Sequence, residues 1–352
     1  MASASTTSEI GWGILATGKI AHTFAADLAI TPGARLAAVG SRSRASAQAF
    51  ADGYAGPRPP RAHGSYLALV DDPEVEVVYL ASPHSHHLEH ARLALEAGKH
   101  VLCEKPLTLS GADSRTMIEL ARARDRFLME AMWTATHPVI RRLRADLEAG
   151  RFGRVRHLHA ELGFVVPEDP TDRMFDPRLG ASAVLDMGIY PLALAHLLLG
   201  APERLLAQAD LRRTAEGILD LDIAMMGRYP RGALATMTAS LTSWSSRRAE
   251  LATDRGRIEL DDFHHPTTAG FVEFGAESTN DGSSTATVLD LHAEAIAEDP
   301  VIGRGYGNEI AEVNRCLRAG LRESPLVPWG LTIELARQLD EVREQVGARV
   351  RH

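Results

Sequence analysis

Ala97-Gly98-Lys99-His100-Val101-Leu102-Cys103-Glu104-Lys105-Pro106 decides the fold of this chain, because it sets a lysine between a carboxylate and a proline at the end of a short apolar strand. Upstream, Val75-Glu76-Val77-Val78-Tyr79-Leu80 reads as a buried strand and Ser82-Pro83-His84-Ser85-His86-His87 as the turn after it. Residues 88–97 then read as an amphipathic helix that Gly98 stops. Strand, helix and strand at this spacing make a parallel βαβ unit, and Lys105 falls at the carboxyl end of its second strand. Ligands bind at that edge of open parallel sheets. Lysine is also scarce: of 38 lysines and arginines, only Lys19, Lys99 and Lys105 are lysines. Arginine is the default wherever charge alone is wanted here, so Lys105 points to a task particular to an ammonium. Such a group can release its proton or tune a neighbouring hydroxyl near neutral pH.

The alternation extends outward. Residues 9–15 and 35–40 read as strands, 19–30 and 43–54 as helices, and helix 113–124 with strand 127–131 closes the series. This predicts an α/β fold whose first domain, residues 1–133, is a Rossmann domain with a doubly wound parallel sheet. Between the first strand and helix stands Ala16-Thr17-Gly18-Lys19-Ile20-Ala21, a degenerate Gly-x-Gly-x-x-Gly/Ala in which Ala16 and Ala21 replace the outer glycines. Alone it reads equally as an ordinary strand-to-helix turn. With Lys105 in register it predicts that Ala16, Thr17, Gly18, Lys19 and Ile20 meet a dinucleotide pyrophosphate at the helix's positive end. An acid about twenty residues beyond would bind the ribose of NAD. The second strand instead ends Val39-Gly40-Ser41-Arg42-Ser43-Arg44, with no carboxylate. Ser41 and Arg42 suit the 2′-phosphate of NADP, the alternative being a solvated basic turn.

After Trp133 the alternation stops. Helix 138–148 leads into strand 155–164, and residues 219–229, 233–244, 248–254 and 256–260 follow as strands with little helix between them. That pattern predicts a second, α+β domain over residues 134–352 with a large, mostly antiparallel sheet. The last helices, 307–318 and 330–346, are expected to pack back near the first domain. A second chemical motif is Gly180-Ala181-Ser182-Ala183-Val184-Leu185-Asp186-Met187-Gly188-Ile189-Tyr190-Pro191, in which Asp186 and Tyr190 fall on one face of a helix. By itself the segment is equally compatible with Asp186 as a helix cap and Tyr190 as a core aromatic. His84, His86, His87 and His90 crowd one turn, yet there is no His-Glu-x-x-His and no cysteine partner, so no metal is expected. His157 with His159, and His264 with His265, have no assigned role.

The formal charge of −8 and the lack of any basic run argue against a nucleic-acid surface. No apolar stretch is expected to span a membrane, the longest, 190–199, being interrupted by Pro191 and His196. Residues 1–8 read as a short disordered leader without the features of a signal peptide. Cys103 and Cys316 are the only cysteines, which predicts no disulfide framework and a cytoplasmic protein.

The run from Ala81 to Pro106 resembles the Gfo/Idh/MocA family of nicotinamide-dependent oxidoreductases, whose hallmark is Glu-Lys-Pro after an Ala-Gly-Lys-His-Val lead-in. Within it the chain is most similar to the dihydrodiol dehydrogenase and D-xylose dehydrogenase (NADP) branch. That likeness is carried by Gly11-Trp12-Gly13-Ile14, Val101 to Pro106, Phe127 to Trp133, Asp186-Met187-Gly188-Ile189-Tyr190 and Arg318 to Pro325. The resemblance implies an oxidoreductase that moves a hydride between NADP (NAD being less favoured) and a CH–OH carbon of a sugar, polyol or cyclic diol. Tyr190 would be the acid/base, Lys105 would hold the substrate hydroxyl and acidify the tyrosine, and Asp186 would orient the substrate or the lysine. Ser82, Pro83, His84, His87, Glu104 and Trp133 would line the cofactor, and Trp133 and Arg173 the substrate. The branch also implies a homodimer through the open face of the second sheet, and no metal. A cyclitol dehydrogenase, a keto-sugar reductase and a non-catalytic cofactor sensor are the rival readings. The chain departs from the family in carrying Gly180-Ala181-Ser182-Ala183 where a run of three glycines is frequent.

Overall fold

Alternating apolar strands and amphipathic helices assemble, in the computed structural model, into two compact units over the described residues 9–169, 172–274 and 286–348. The expected leader, residues 1–8, lies outside them, as does Thr171. The first unit holds β1 (Ile10–Leu15), β2 (Ala34–Gly40), β3 (Arg61–His63), β4 (Val77–Leu80), β5 (His100–Glu104) and β6 (Leu128–Ala131). All pair in parallel, in the order β3-β2-β1-β4-β5-β6. Every residue of β1, β4 and β6 is buried, as strands covered on both faces must be. Helices Lys19–Leu28, Arg44–Asp52, His87–Glu96 and Gly111–Ala123 make the crossovers. Ser43 and Ser110 start two of them, each hydroxyl accepting the amide of the third residue on. Gly11 has to be glycine for packing, since a Cβ there would lie 1.9 Å from the carbonyl oxygen of Glu74. The order reverses at β1, so β1 and β4 flank the switch point where doubly wound sheets bind ligands.

A single cut at 133/134 does not describe the units. The first gathers residues up to Thr136 and Val301–Ile333, the second His137–Pro300 and the chain from Glu334. The first unit needs the returning segment to satisfy buried polar groups. Trp12 Nε1 donates to Asn314 at 3.1 Å, and buried Asp27 accepts the amides of Arg304 and Gly307 at 2.8 and 3.3 Å. Helix Tyr306–Arg318 therefore belongs wholly with the first sheet.

The second unit is built on an eight-stranded sheet. Its strands are β7 (Val155–Gly163), β8 (Arg204–Arg213), β9 (Ile218–Arg228), β10 (Leu234–Ser240), β11 (Ala249–Thr253), β12 (Gly256–Leu260), β13 (Ala269–Phe274) and β14 (Ala286–Asp290). Their order is β14-β13-β12-β11-β7-β10-β9-β8, antiparallel throughout except for the parallel pair β7 and β10. Along β9, Leu221, Ile223 and Met225 are buried while Ala224 and Met226 are exposed, so one face is covered and one open. Helix Ile189–Leu199 is buried nearly all round in covering that face. Contrary to the sequence expectation, Pro177–Leu199 is long and apolar enough to cross a membrane by composition alone. It is almost entirely buried in the protein, as a core segment is. Strands β8, β13 and β14 add to those foreseen, and the strand read over 233–244 stops at Ser240, whose hydroxyl accepts the amides of Thr242 and Ser243 and turns the chain.

Candidate active site

The turn after β1 has the geometry of a phosphate cradle. Ala16, standing where a glycine is usual, takes φ 79°, a left-handed conformation costly for a residue with a Cβ. Gly18 precedes helix Lys19–Leu28 without a side-chain cap, and a Cβ added there would meet no described atom within 4 Å. The first-turn amides, those of Lys19 and Ile20 included, thus open onto space at the helix's positive end, which fits a dinucleotide pyrophosphate. The turn is tied to the end of β2: Ala16 N donates to Gly40 O at 3.0 Å, and the hydroxyls of Thr17 and Ser41 lie 3.4 Å apart. Arg42 is exposed beside buried Ser41, whereas the Ser43 hydroxyl is engaged in capping its helix through Ser46.

Four residues expected at the cofactor lie on the turn after β4, and one of them has a different task. His87 is fully buried, its Nε2 2.9 Å from the carbonyl of Ser82 and its Nδ1 3.0 and 3.2 Å from those of Pro106 and Leu107. A neutral ring donates from one nitrogen only, so it bonds one of these turns and packs against the other, between the turn after β4 and the turn after β5; wholly buried there, it has no surface for a cofactor. Burial pushes its pKa down to about 4, against the three carbonyls, which favour protonation. Ser82 is buried and bonds His90 Nδ1 at 2.8 Å, Pro83 is half-buried, and buried His84 packs its ring on His87 at 5.5 Å. Among the described residues no group of three His, Cys, Asp or Glu could hold a metal.

Lys105 leaves the end of β5 half-buried, before a cis bond to Pro106. Glu104 is fixed on both oxygens, taking the Tyr79 hydroxyl at 2.5 Å and the Lys105 amide at 3.1 Å. Beneath this turn Glu130 on β6 accepts the Leu107 amide at 2.8 Å, and burial raises its pKa to about 7. Sequence reading missed Glu130; its signal was a carboxylate in the otherwise apolar strand Leu128–Ala131. Half-buried Trp133 stacks on Tyr306, centroids 4.7 Å apart, a pairing made possible by the returning segment.

In the second unit Arg173, Asp186 and Tyr190 are brought together around one unusual helix start. Arg173 sits on a 3₁₀ turn, Arg173–Phe175, whose Asp172 caps it, and its Nη1 donates to Asp186 Oδ1 at 3.1 Å. Asp186 lies in a π-helical segment, Val184–Gly188, that runs into helix Ile189–Leu199. Asp186 and Tyr190 remain four residues apart across this start, which has a π turn where a regular helix was expected; such turns gather at functional sites. Asp220 on β9, unflagged by the sequence, holds the segment, accepting the Val184 amide at 2.7 Å while Ser182 Oγ accepts that of Leu185 at 3.1 Å. Burial raises the Asp220 pKa. Tyr190 is 9% exposed, with its ring against that of His264, another residue to which the sequence assigned nothing.

Residues 10–132 match the family described as "Oxidoreductase family, NAD-binding Rossmann fold", and residues 140–259 match "GFO/IDH/MocA C-terminal domain". The chain is 32% identical over 349 residues to trans-1,2-dihydrobenzene-1,2-diol dehydrogenase of Mus musculus, with 96% of each protein covered. It is 33% identical over 372 residues to D-xylose 1-dehydrogenase (NADP(+)) of Hypocrea jecorina, covering 96% of this chain and 92% of that one. Among solved structures, aldose-aldose oxidoreductase from Caulobacter crescentus shares the fold, with TM-score 0.81 at 22% identity over 96% of this chain and 98% of the other. Both domains are matched in order, and the likeness runs through nearly the whole length at an identity that chance does not give: the chain belongs to the Gfo/Idh/MocA family of oxidoreductases.

Proposed function

We propose that the chain is an NADP-dependent dehydrogenase or reductase acting on a CH–OH carbon of a sugar, polyol or cyclic diol. The observation that carries this reading is that the sequence retains all three of Lys105, Asp186 and Tyr190, and that within the second unit Asp186 is paired to Arg173 and its helix start is held by buried Asp220. A protein that only sensed a dinucleotide has no need of all three. When bound, the nicotinamide group supplies hydride exchange at its C4. Tyr190 exchanges the proton of the substrate hydroxyl. Lys105 donates an N–H to that oxygen, and its charge favours the ionised phenol. Asp186 accepts from a neighbouring hydroxyl, which suits substrates with adjacent hydroxyls, and Trp133 gives an apolar wall. Ala16, Thr17, Gly18, Lys19 and Ile20 hold the pyrophosphate, and Ser41 and Arg42 the 2′-phosphate. The two curated relatives support the substrate class, one named for a cyclic diol and one for D-xylose with NADP.

The test is a panel of aldoses, inositols and dihydrodiols with NADP and NAD, followed by nicotinamide absorbance. Turnover of at least one compound, faster with NADP, is expected. No turnover of any member, with cofactor still bound, would replace this reading by that of a sensor. A homodimer is part of the same proposal. The open face of the second sheet exposes Leu206, Met226 and Leu234, and a second copy presenting the same face would cover them.

A further inference from the structure

The loop between β12 and β13 carries Asp262, Phe263, His264 and His265. Two anchors hold it. Phe263 is wholly buried and its amide donates to the carbonyl of Arg247 at 3.0 Å, while Asp261 accepts the amides of Thr267 and Thr268 at 3.0 and 2.8 Å. Between those anchors Asp262 bonds His264 Nδ1, and Arg247 pairs with the same carboxylate at 3.3 Å. A carboxylate on Nδ1 makes that nitrogen the donor and sets the plane of the ring. The ring so set stands edge to face with Tyr190, centroids 5.2 Å apart at 71°. Both the His264 and Asp262 side chains are 16% exposed, so a carboxylate–imidazole pair has been largely withdrawn from water to make this contact. An apolar side chain would fill the same space without that desolvation.

We infer that Asp262 and His264 are positioning residues for Tyr190: the pair fixes the phenol ring, and with it the direction in which the hydroxyl exchanges its proton. The inference rests on the reading of Tyr190 as the acid/base of the proposed reaction. It is tested by steady-state kinetics of His264→Ala and Asp262→Asn, each made in the native protein and in Tyr190→Phe. In the native background each lowers kcat about 10-fold, the scale on which supporting partners of a reacting group act, with KM for substrate and cofactor within about twofold. The pair of substitutions together costs no more than one alone, and in Tyr190→Phe the His264 change costs less than about twofold, because the group it positions has lost its hydroxyl. His264→Asn retains an N–H for Asp262 but no ring; it folds if His264→Ala does not, and it shows the same loss. An equal loss in both backgrounds overturns the inference and leaves the role of Tyr190 standing, as does an unchanged kcat or a rise in KM alone. Full activity of Tyr190→Phe itself removes the acid/base reading, and the inference with it.

Discussion

At the carboxyl end of β2 the proposed preference for NADP rests on Arg42, because Ser43 is taken up in capping its own helix and the segment 41–44 carries no carboxylate. Arg42→Ala is expected to weaken NADP binding by about 1.5–3 kcal/mol, the worth of a charged hydrogen bond, with NAD affinity nearly unchanged. Fluorescence titration with both cofactors checks it, and equal affinities in the native protein would remove its basis. For the chemistry, Tyr190→Phe should keep cofactor affinity and lose turnover by about 100-fold, since only a proton-exchanging group has gone. Lys105→Arg should fail as well, although it preserves charge, because a guanidinium neither fits the place of an ammonium nor gives up its proton. Single-turnover rates with the best substrate decide both; a fully active Lys105→Arg would reduce Lys105 to a point charge.

Elements are held by buried polar groups where the two chemical motifs sit. His87, in the first turn of its helix, joins the turns that follow β4 and β5, and so sets the base from which Lys105 departs. In the folded protein its pKa is pushed down to about 4, whereas an unfolded histidine titrates near 6.5. The unfolded state therefore takes the proton first. The stability His87 provides is whole above pH 6.5 and is lost as the pH falls from there towards 4. His87→Gln lacks this titration, so the stability gap between native and variant should be about 2 kcal/mol narrower at pH 5 than at pH 7.5. Urea unfolding at the two pH values measures it; a gap that does not change with pH would show that His87 is not neutral in the folded state. On the second unit the π-helical start of helix Ile189–Leu199 is possible because Asp220 and Ser182 take amides that a regular helix would leave to its cap.

For the whole molecule, the proposed homodimer rests on the open face of the eight-stranded sheet. Val288 is 67% exposed and Met226 46% on that face, and a second copy related by a twofold axis would cover the same residues on both. A dimer is expected by light scattering at micromolar concentration, and Met226→Asp should shift it towards monomer by placing a charge in the contact. A native protein that scatters as a monomer would end the proposal.

The parallel sheet, the lysine at its edge and the strand-to-helix turn after β1 were legible in the chain, because each depends on local order: apolar period, turn residues and spacing along one segment. What the chain could not give was anything that depends on residues far apart meeting. Trp133 needed Tyr306, 173 positions away, to become a stacked pair, and Trp12 needed Asn314, which is why residues 301–333 join the first unit. His87 looked like a cofactor ligand until it was found wholly buried between the carbonyls of two turns, and His264 looked idle until it stood against Tyr190. The physical reason is the same in each case. Secondary structure and motif spacing follow from energies between near neighbours in sequence, whereas the satisfaction of a buried polar group, and hence its role, is settled only when tertiary packing brings its partner to within hydrogen-bonding distance.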